Sequence, residues 1–498
     1  MPHSGHRVLH REGEGTMADW QAFMKPANYV AGAWIGADSR QTIDVTNPAT
    51  GEVIGTVPAC GEAETMRAID AAAAAFPELA GMDLMTRVGL LWKLHDALMD
   101  NQAALAELLT VEMGKPLAEA KGEIAIGAQY VRWFAEEARR AKGEIVPAGV
   151  NGRRILVTRH PVGVVGMITP WNFPSSMLAR KVAPALAVGC TIVAKPATAT
   201  PYSGLAWAAL AEEVGYPAGA VNVVTGSARA IAGAMMARDE VRKITFTGST
   251  EVGKELIRQS ADTVKKVSME LGGNAPFIVF DDADLDAAAE GAIVSKYRNS
   301  GQTCVCANRI YVQAGVYDAF VEKLVAKTRE LKVGDGREEG VAQGPLIDTD
   351  AVAKVEELLD DAKAKGATVA LGGSRHQLGG TFFQPTVLTG ATQDMAFATE
   401  EIFGPLAPVF RFETEAEAID MANATVFGLA SYVYTRDLGR AFRLNDALQY
   451  GMIGINSGLI TTVEAPFGGV KESGMGKEGG SQGLEDYLDT KYVCIDGI

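Results

Sequence analysis

The sequence predicts an α/β protein with a doubly wound parallel-sheet cofactor domain, a second α/β catalytic domain and a small β element for oligomerisation. Three observations carry this. Across residues 155–279, short β-rich runs ("ILVTRHP", "VGVVGMITP", "CTIVAKP", "GAVNVVTG", "VRKITFTG", "APFIVF") alternate with alanine-rich segments. Continuous apolar strands separated by helical segments indicate a parallel sheet covered on both faces. A second alternation starts with "DLDAAAEGAIVSKYRN" and runs through "RIYVQAG", "VYDAFVEKLVAKTREL" and "ATVALGG". The β-rich tail "YLDTKYVCIDGI" has little of its own to pack on, so it is expected to pair with another element or subunit.

In chain order, residues 1–18 read as a flexible extension, because "MPHSGHRVLHREGEGT" lacks the apolar centre of a secretory signal. A start at Met17 is the other reading. Residues 19–140 and 160–271 are assigned to the NAD(P)-binding domain, with the helical segment 62–140 packed on it. Residues 272–450 form the catalytic domain, and 141–159 with 480–498 the oligomerisation element. No repeat or low-complexity linker divides them.

Composition narrows the function. The 498 residues are 47% hydrophobic and 21% charged, which suits substantial packed cores rather than a disordered chain. A net charge of −15 repels phosphate backbones and anionic lipid, so neither nucleic acid nor membrane is an expected partner. An anionic substrate would need a local cationic pocket. Five cysteines without framework spacing suit a reducing, cytoplasmic compartment. The charge-free stretch 161–179 contains three prolines and an asparagine and is no convincing membrane span.

Several segments can carry chemistry. In "ITFTGSTEVGKEL", a strand ends at Gly248 and a helix opens at Ser249, where backbone N–H groups suit a dinucleotide phosphate. The usual GxGxxG is absent, and a tight turn alone would also account for Gly248. Lys195 ends the strand of "CTIVAKPATATP", within reach of ribose hydroxyls or phosphate; a plain surface lysine would look the same. Asn172 in "ITPWNFPSSMLARK" is either a preorganised donor to an oxyanion or a cap for the following helix. Glu270 in "VSMELGGNAP" is either a strand-end surface residue or a buried general base with raised pKa, the glycines favouring the second. Cys304 in "RNSGQTCVCANR" sits in a loop. It is a nucleophile if backbone N–H groups and Arg298 or Arg309 favour the thiolate, and otherwise a structural thiol. The six histidines form no ligand cluster, so no metal is expected.

Taken together, "ITPWNFP", "KPAT", "FTGST", "MELGGNAP", "GQTC", "EEIFGP" and "PFGGVKESG" occur in the order and approximate spacing of the aldehyde dehydrogenase superfamily, which the chain resembles over about residues 20–498. The resemblance implies that Cys304 attacks the aldehyde and that Asn172 with the Cys304 N–H holds the oxyanion. It makes Glu270 the base that hydrolyses the thioester. Glu401 would bind the nicotinamide ribose with Phe403 beside the cofactor, and Trp171, Lys195, Gly248, Ser249 and Leu271 would line the cofactor site. Thr198 stands where many NAD-using members carry glutamate. A hydroxyl there does not repel a 2′-phosphate, so NADP is the expected cofactor, with NAD weaker.

Within the superfamily, "SKYRNSGQTCVCANRIYVQ" and "LEDYLDTKYVCI" are most similar to the bacterial-type succinate-semialdehyde dehydrogenases. That resemblance implies a carboxylate-binding set of Arg180, Arg298 and a hydroxyl at Thr461, next to Thr462. Two guanidiniums can clamp a carboxylate by charge-assisted hydrogen bonds. Glutarate semialdehyde is the alternative substrate, and a CoA-acylating enzyme or a silent structural member are remoter ones. Cys306 is either a small filler in a buried strand or a redox partner for Cys304, through a strained disulfide. The resemblance also implies a homotetramer or homodimer.

Overall fold

The computed structural model describes residues 19–497; the expectation for residues 1–18 lies outside them. An eight-stranded sheet has five parallel strands at its centre, in the spatial order Lys266–Glu270, Val241–Thr247, Val164–Ile168, Thr191–Lys195, Val221–Val223. Antiparallel strands border it, Asn28–Val30 and Ala33–Ile35 on one side and Gly474–Met475 on the other. The first of the parallel strands in sequence, Val164–Ile168, lies between the second and the fourth, so strand order reverses there. Ligands bind beyond the carboxyl ends of strands at such a switch point. Register makes those ends a common rim: Ile168 pairs with Lys195 and with Phe246, and Thr247 pairs with Glu270.

The helices Leu84–Asp100, Gln102–Met113 and Leu117–Glu137 cover one face through Leu91, Leu94, Leu108 and Phe134, packed with Leu178, Leu186 and Trp207. The helix Pro174–Val188 is buried along its whole length. It is a scaffold helix, not the exposed one on which Arg180 would be a surface charge.

A seven-stranded sheet carries six parallel strands, ordered Thr386–Ala391, Leu406–Phe412, Ala307–Gln313, Ala275–Val279, Ala430–Tyr434, Met452–Ile455, with Thr368–Leu371 antiparallel at its edge. "APFIVF", grouped with the first sheet by alternation but with the catalytic domain by the division at 272, belongs here. The two glycines before it let the chain leave Glu270 and start a new sheet: a Cβ on Gly273 would come within 2.2 Å of the Cys304 carbonyl oxygen. The second sheet also continues past residue 450 through Met452–Ile455, and the chain then returns to the first at Gly474–Met475.

"ILVTRHP" reads both as a run of the parallel sheet and, to residue 159, as part of a β element with 480–498; its strand takes the second place. The strand Arg153–Pro161 does not join the parallel sheet; it pairs antiparallel with Glu144–Val146 and, over nine residues, with Leu488–Asp496. Its residues are half-exposed on both faces, unlike the buried run of Val164–Ile168. The β-rich tail therefore finds its partner inside its own chain, in a three-stranded sheet from which Ile145 (81% exposed) and Tyr492 (62%) project. Among the described residues, no helix is long and apolar enough to cross a membrane.

Candidate active site

A cleft of about 400 Å³ opens at the switch point, between the carboxyl ends of the first sheet and the segments that precede strands of the second. Eight of the expected residues line it: Trp171, Asn172, Gly248, Ser249, Leu271, Cys304, Glu401 and Phe403. Lys195 and Thr198 lie along the rim outside this lining. Glu270, Arg180, Arg298 and Thr461 are not in its wall either, and Cys306 is buried (1% exposed).

Asn172 follows Val164–Ile168 in a turn stiffened by prolines. Its Oδ1 accepts the Phe173 N–H at 3.1 Å, and its Nδ2 donates to the Gln302 carbonyl at 3.0 Å, two residues before Cys304. The second N–H of the amide is left for the cleft. Asn172 does not cap the next helix; the Ser175 and Ser176 N–H groups are taken by Glu123 Oε1 at 2.9 and 3.1 Å.

Cys304 is half-buried, and its thiol is pushed up to about 12 by burial, with Glu401 and Glu270 adding to the rise and Arg180 opposing it. The expectation that Arg298 or Arg309 favours the thiolate is corrected. Arg309 is fully buried and donates to the carbonyls of Asn274, Met421 and Ala422, which makes it a structural tie. The rise at Cys304 favours the protonated thiol at rest.

Glu270, at the end of its strand, is 3% exposed, and neither carboxylate oxygen has a hydrogen-bond partner. Burial raises its pKa well above the carboxylate range, and the Glu478 carboxylate raises it further. An uncompensated buried carboxyl of this kind marks a functional site more often than a structural one.

The same holds for Arg180. It is 3% exposed, its Nε and Nη1 are buried without hydrogen-bond partners, and Glu478 lies 3.9 Å away. The guanidinium rests on the Phe467 ring at 4.2 Å and the Tyr130 ring at 5.1 Å. Tyr130 donates to the Thr462 carbonyl at 3.3 Å, which brings the half-buried Thr461 segment towards Arg180. Arg298 sits 5.0 Å over the Phe173 ring, at the start of the helix that carries Arg180.

The rim fits a dinucleotide. Ser249 caps the helix Thr250–Ser260 by accepting the Val252 N–H at 3.4 Å, and a helix start at the rim suits a phosphate. A Cβ on Gly253 would fall 2.3 Å from the Leu271 side chain, so glycine allows helix and strand to close up. Lys195 Nζ has one hydrogen bond, to Thr198 Oγ1 at 3.2 Å, and burial pulls its pKa down to about 8. Glu401 accepts the Gly273 N–H at 3.0 Å, and burial raises it to about 7. Phe403, at φ 52°, packs edge-on against Trp171 with centroids 5.5 Å apart.

The cleft also has walls that motif reading missed. Asp348, Asp350 and Lys354, on or just before the helix Thr349–Ala364, line it. Their stretch, "IDTDAVAKV", looks like any solvated helix start, and only the tertiary fold brings it to Glu401.

A cleft at a switch point, lined by a thiol and an oriented amide, is the arrangement of a cofactor-dependent enzyme with a nucleophile at hand. Residues 34–493 match the profile of the aldehyde dehydrogenase family, and the chain belongs to that family. It is 58% identical over 482 residues to a glutarate-semialdehyde dehydrogenase of Pseudomonas aeruginosa, covering 97% of this chain and 100% of that one. It is 54% identical over 466 residues to an NADP-type succinate-semialdehyde dehydrogenase of Escherichia coli, covering 94% and 97%. The crystal structure of a succinate-semialdehyde dehydrogenase from Burkholderia pseudomallei superposes with a TM-score of 0.96 at 55% identity, covering 97% of this chain and 100% of that one.

Proposed function

We propose that the protein oxidises succinate semialdehyde to succinate with a nicotinamide cofactor, NADP in preference to NAD. The observation that carries the anionic substrate is the buried guanidinium of Arg180, whose Nε and Nη1 have no hydrogen-bond partner and whose nearest carboxylate is Glu478 at 3.9 Å, within electrostatic reach of Cys304. A semialdehyde's far carboxylate would satisfy it, with Arg298 closing the clamp and Thr461 adding a hydroxyl. The named relatives support a short semialdehyde. Glutarate semialdehyde is the second reading, favoured by the Pseudomonas relative, since one methylene is worth only about 1–3 kcal/mol of discrimination.

In the reaction, Cys304 Sγ attacks the aldehyde carbon and its proton passes to a base, a role we assign to Glu270. The resulting oxyanion takes hydrogen bonds from Asn172 Nδ2 and the Cys304 N–H. A bound nicotinamide supplies the acceptor for the hydride that leaves the thiohemiacetal carbon. Having released the thiol proton to solvent, Glu270 then takes a proton from the water that attacks the thioester, and Cys304 leaves as the thiolate. Glu401, beside Phe403 and Trp171, would hold the nicotinamide ribose; Gly248, Ser249 and Leu271 would flank the phosphates. Lys195 and Thr198 would face the 2′-position, where no carboxylate repels a phosphate. The free thiols support a cytoplasmic setting, and the uncovered three-stranded sheet supports a homo-oligomer, a tetramer before a dimer.

Following reduced cofactor by absorbance with aldehydes of graded length, and with NADP or NAD, tests this directly. The highest kcat/KM is expected for succinate semialdehyde with NADP; a higher value for glutarate semialdehyde or for NAD overturns that part. Arg298→Ala should raise KM for the semialdehyde about 10- to 100-fold, from the roughly 1.5–3 kcal/mol of a charge-assisted bond. An uncharged aldehyde should be affected much less, and equal effects would exclude the clamp.

Cys306 points inward and donates to the Lys296 carbonyl at 3.4 Å. A protective disulfide with Cys304 would require the loop to turn that sulfur outward. Wild type treated with peroxide and then a thiol reductant should recover more activity than Cys306→Ala; equal recovery rules the guard out.

A further inference from the structure

One face of the helix Leu117–Glu137 reaches both halves of the site. Glu119 and Glu123, four residues apart, share that face, and Lys115 stands just before the first turn, ahead of the capping Pro116. Lys115 and Glu123 are each 1% exposed and pair at 2.5 Å. The same ammonium donates to the Asn172 carbonyl at 2.7 Å and lies 3.7 Å from the centre of the Phe173 ring. Glu123, through its other oxygen, fixes the start of the helix that follows Asn172.

Glu119 acts on the other half, accepting the Asn299 N–H at 2.9 Å. Asn299 Nδ2 then donates to the Asn172 carbonyl at 3.0 Å and to the Gln302 carbonyl at 3.3 Å. That last oxygen is the one that Asn172 Nδ2 also uses. Asn299 and Ser300 stand at φ 53° and 56°. Two successive left-handed residues with side chains persist only where the surroundings hold them.

We propose that Lys115 and Glu119 are positioning residues: from the start of one helix and the segment just before it, they hold the Asn172 turn and the Cys304 loop at a fixed separation, so that the two oxyanion donors converge. The inference rests on the oxyanion reading of Asn172. Neither side chain is required to touch substrate. A fully buried ion pair contributes little net stability compared with an apolar pair of the same size, whereas its directed hydrogen bonds define a geometry.

The test uses the full-length enzyme with Glu119→Ala, Glu119→Gln and the double variant Lys115→Met/Glu123→Gln, which leaves no lone buried charge. Each is made alone and on an Asn172→Ala background. Glu119→Ala and the double variant should lower kcat about 10- to 100-fold, the scale of a misplaced catalytic group, with KM for aldehyde and cofactor changed less than about threefold. Glu119→Gln, which keeps an acceptor for Asn299, should restore most of kcat. On the Asn172→Ala background the losses should be several-fold smaller, because one of the two donors that the residues align is already gone. Folded variants with wild-type kcat, or losses that multiply with Asn172→Ala, overturn the proposal. If the double variant does not fold, the Glu119 pair decides alone. If Asn172→Ala itself leaves kcat unchanged, the oxyanion reading is what fails.

Discussion

Cys304→Ala is expected to lower kcat by about 10⁴-fold or more, the scale on which removal of a covalent nucleophile acts, while cofactor affinity measured by fluorescence titration stays within about twofold. Cys306, two residues away, should not substitute for it. Its sulfur is buried and donates to a carbonyl, whereas Cys304 lines the cleft. The raised pKa of Cys304 adds a signature. With the thiol at about 12 at rest, the thiolate fraction near pH 8 is about one in ten thousand. Alkylation of Cys304 by iodoacetamide should therefore be slow and rise about tenfold per pH unit through the neutral range, as read by peptide mass mapping that separates it from the exposed Cys494. Wild-type turnover in Cys304→Ala would overturn the nucleophile assignment. A pH-independent alkylation rate would show that the loop presents a thiolate at rest.

That protonated resting state is among the things the sequence did not show. Motifs placed Asn172, Glu270 and Cys304 in turns and strand ends, because prolines, glycines and the switch from apolar run to helix are local signals. The register that brings Lys195, Thr247 and Glu270 to one rim also follows from strand order, which alternation predicts well. Electrostatics do not follow from local signals. Arg309 and Arg298 flank the same twelve-residue stretch and look alike in sequence. Yet one is sealed among carbonyls and the other lies over Phe173. Lys115 and Glu119 were missed for the same reason. "GKPLAEAKGE" reads as an ordinary helix start, and its purpose depends on Asn172 and Asn299, 57 and 180 residues away. Alternation alone puts the strand Arg153–Pro161 in the parallel sheet, although the domain division sets 141–159 beside 480–498, because an apolar run with half-exposed residues resembles a buried parallel strand until its partner, Leu488–Asp496, is known.

Glu270→Gln keeps the size of the side chain and removes only its ability to take a proton, so its effect should fall on one step. Reduced cofactor should appear in a rapid first turnover of about one equivalent per active site, followed by a steady rate about 10²- to 10³-fold below wild type, the usual contribution of a general base. Wild type itself should show a pH limb above the ordinary carboxylate range. Burial and Glu478 raise the Glu270 pKa, below that raised pKa the carboxyl is protonated and accepts nothing, and turnover is lost as pH falls through it. The limb should be absent in Glu270→Gln. Stability should move in the opposite sense. A carboxyl whose pKa is raised on folding binds more protons in the folded than in the unfolded state, so it destabilises the wild type increasingly as pH rises from the unfolded value through the folded one. Glu270→Gln should accordingly melt at a higher temperature than wild type at alkaline pH and lose that advantage in acid. An enzyme that gains alkaline stability but keeps full steady-state turnover would carry Glu270 as a buried carboxyl without a catalytic task, and the hydrolytic base would have to be sought elsewhere around Cys304.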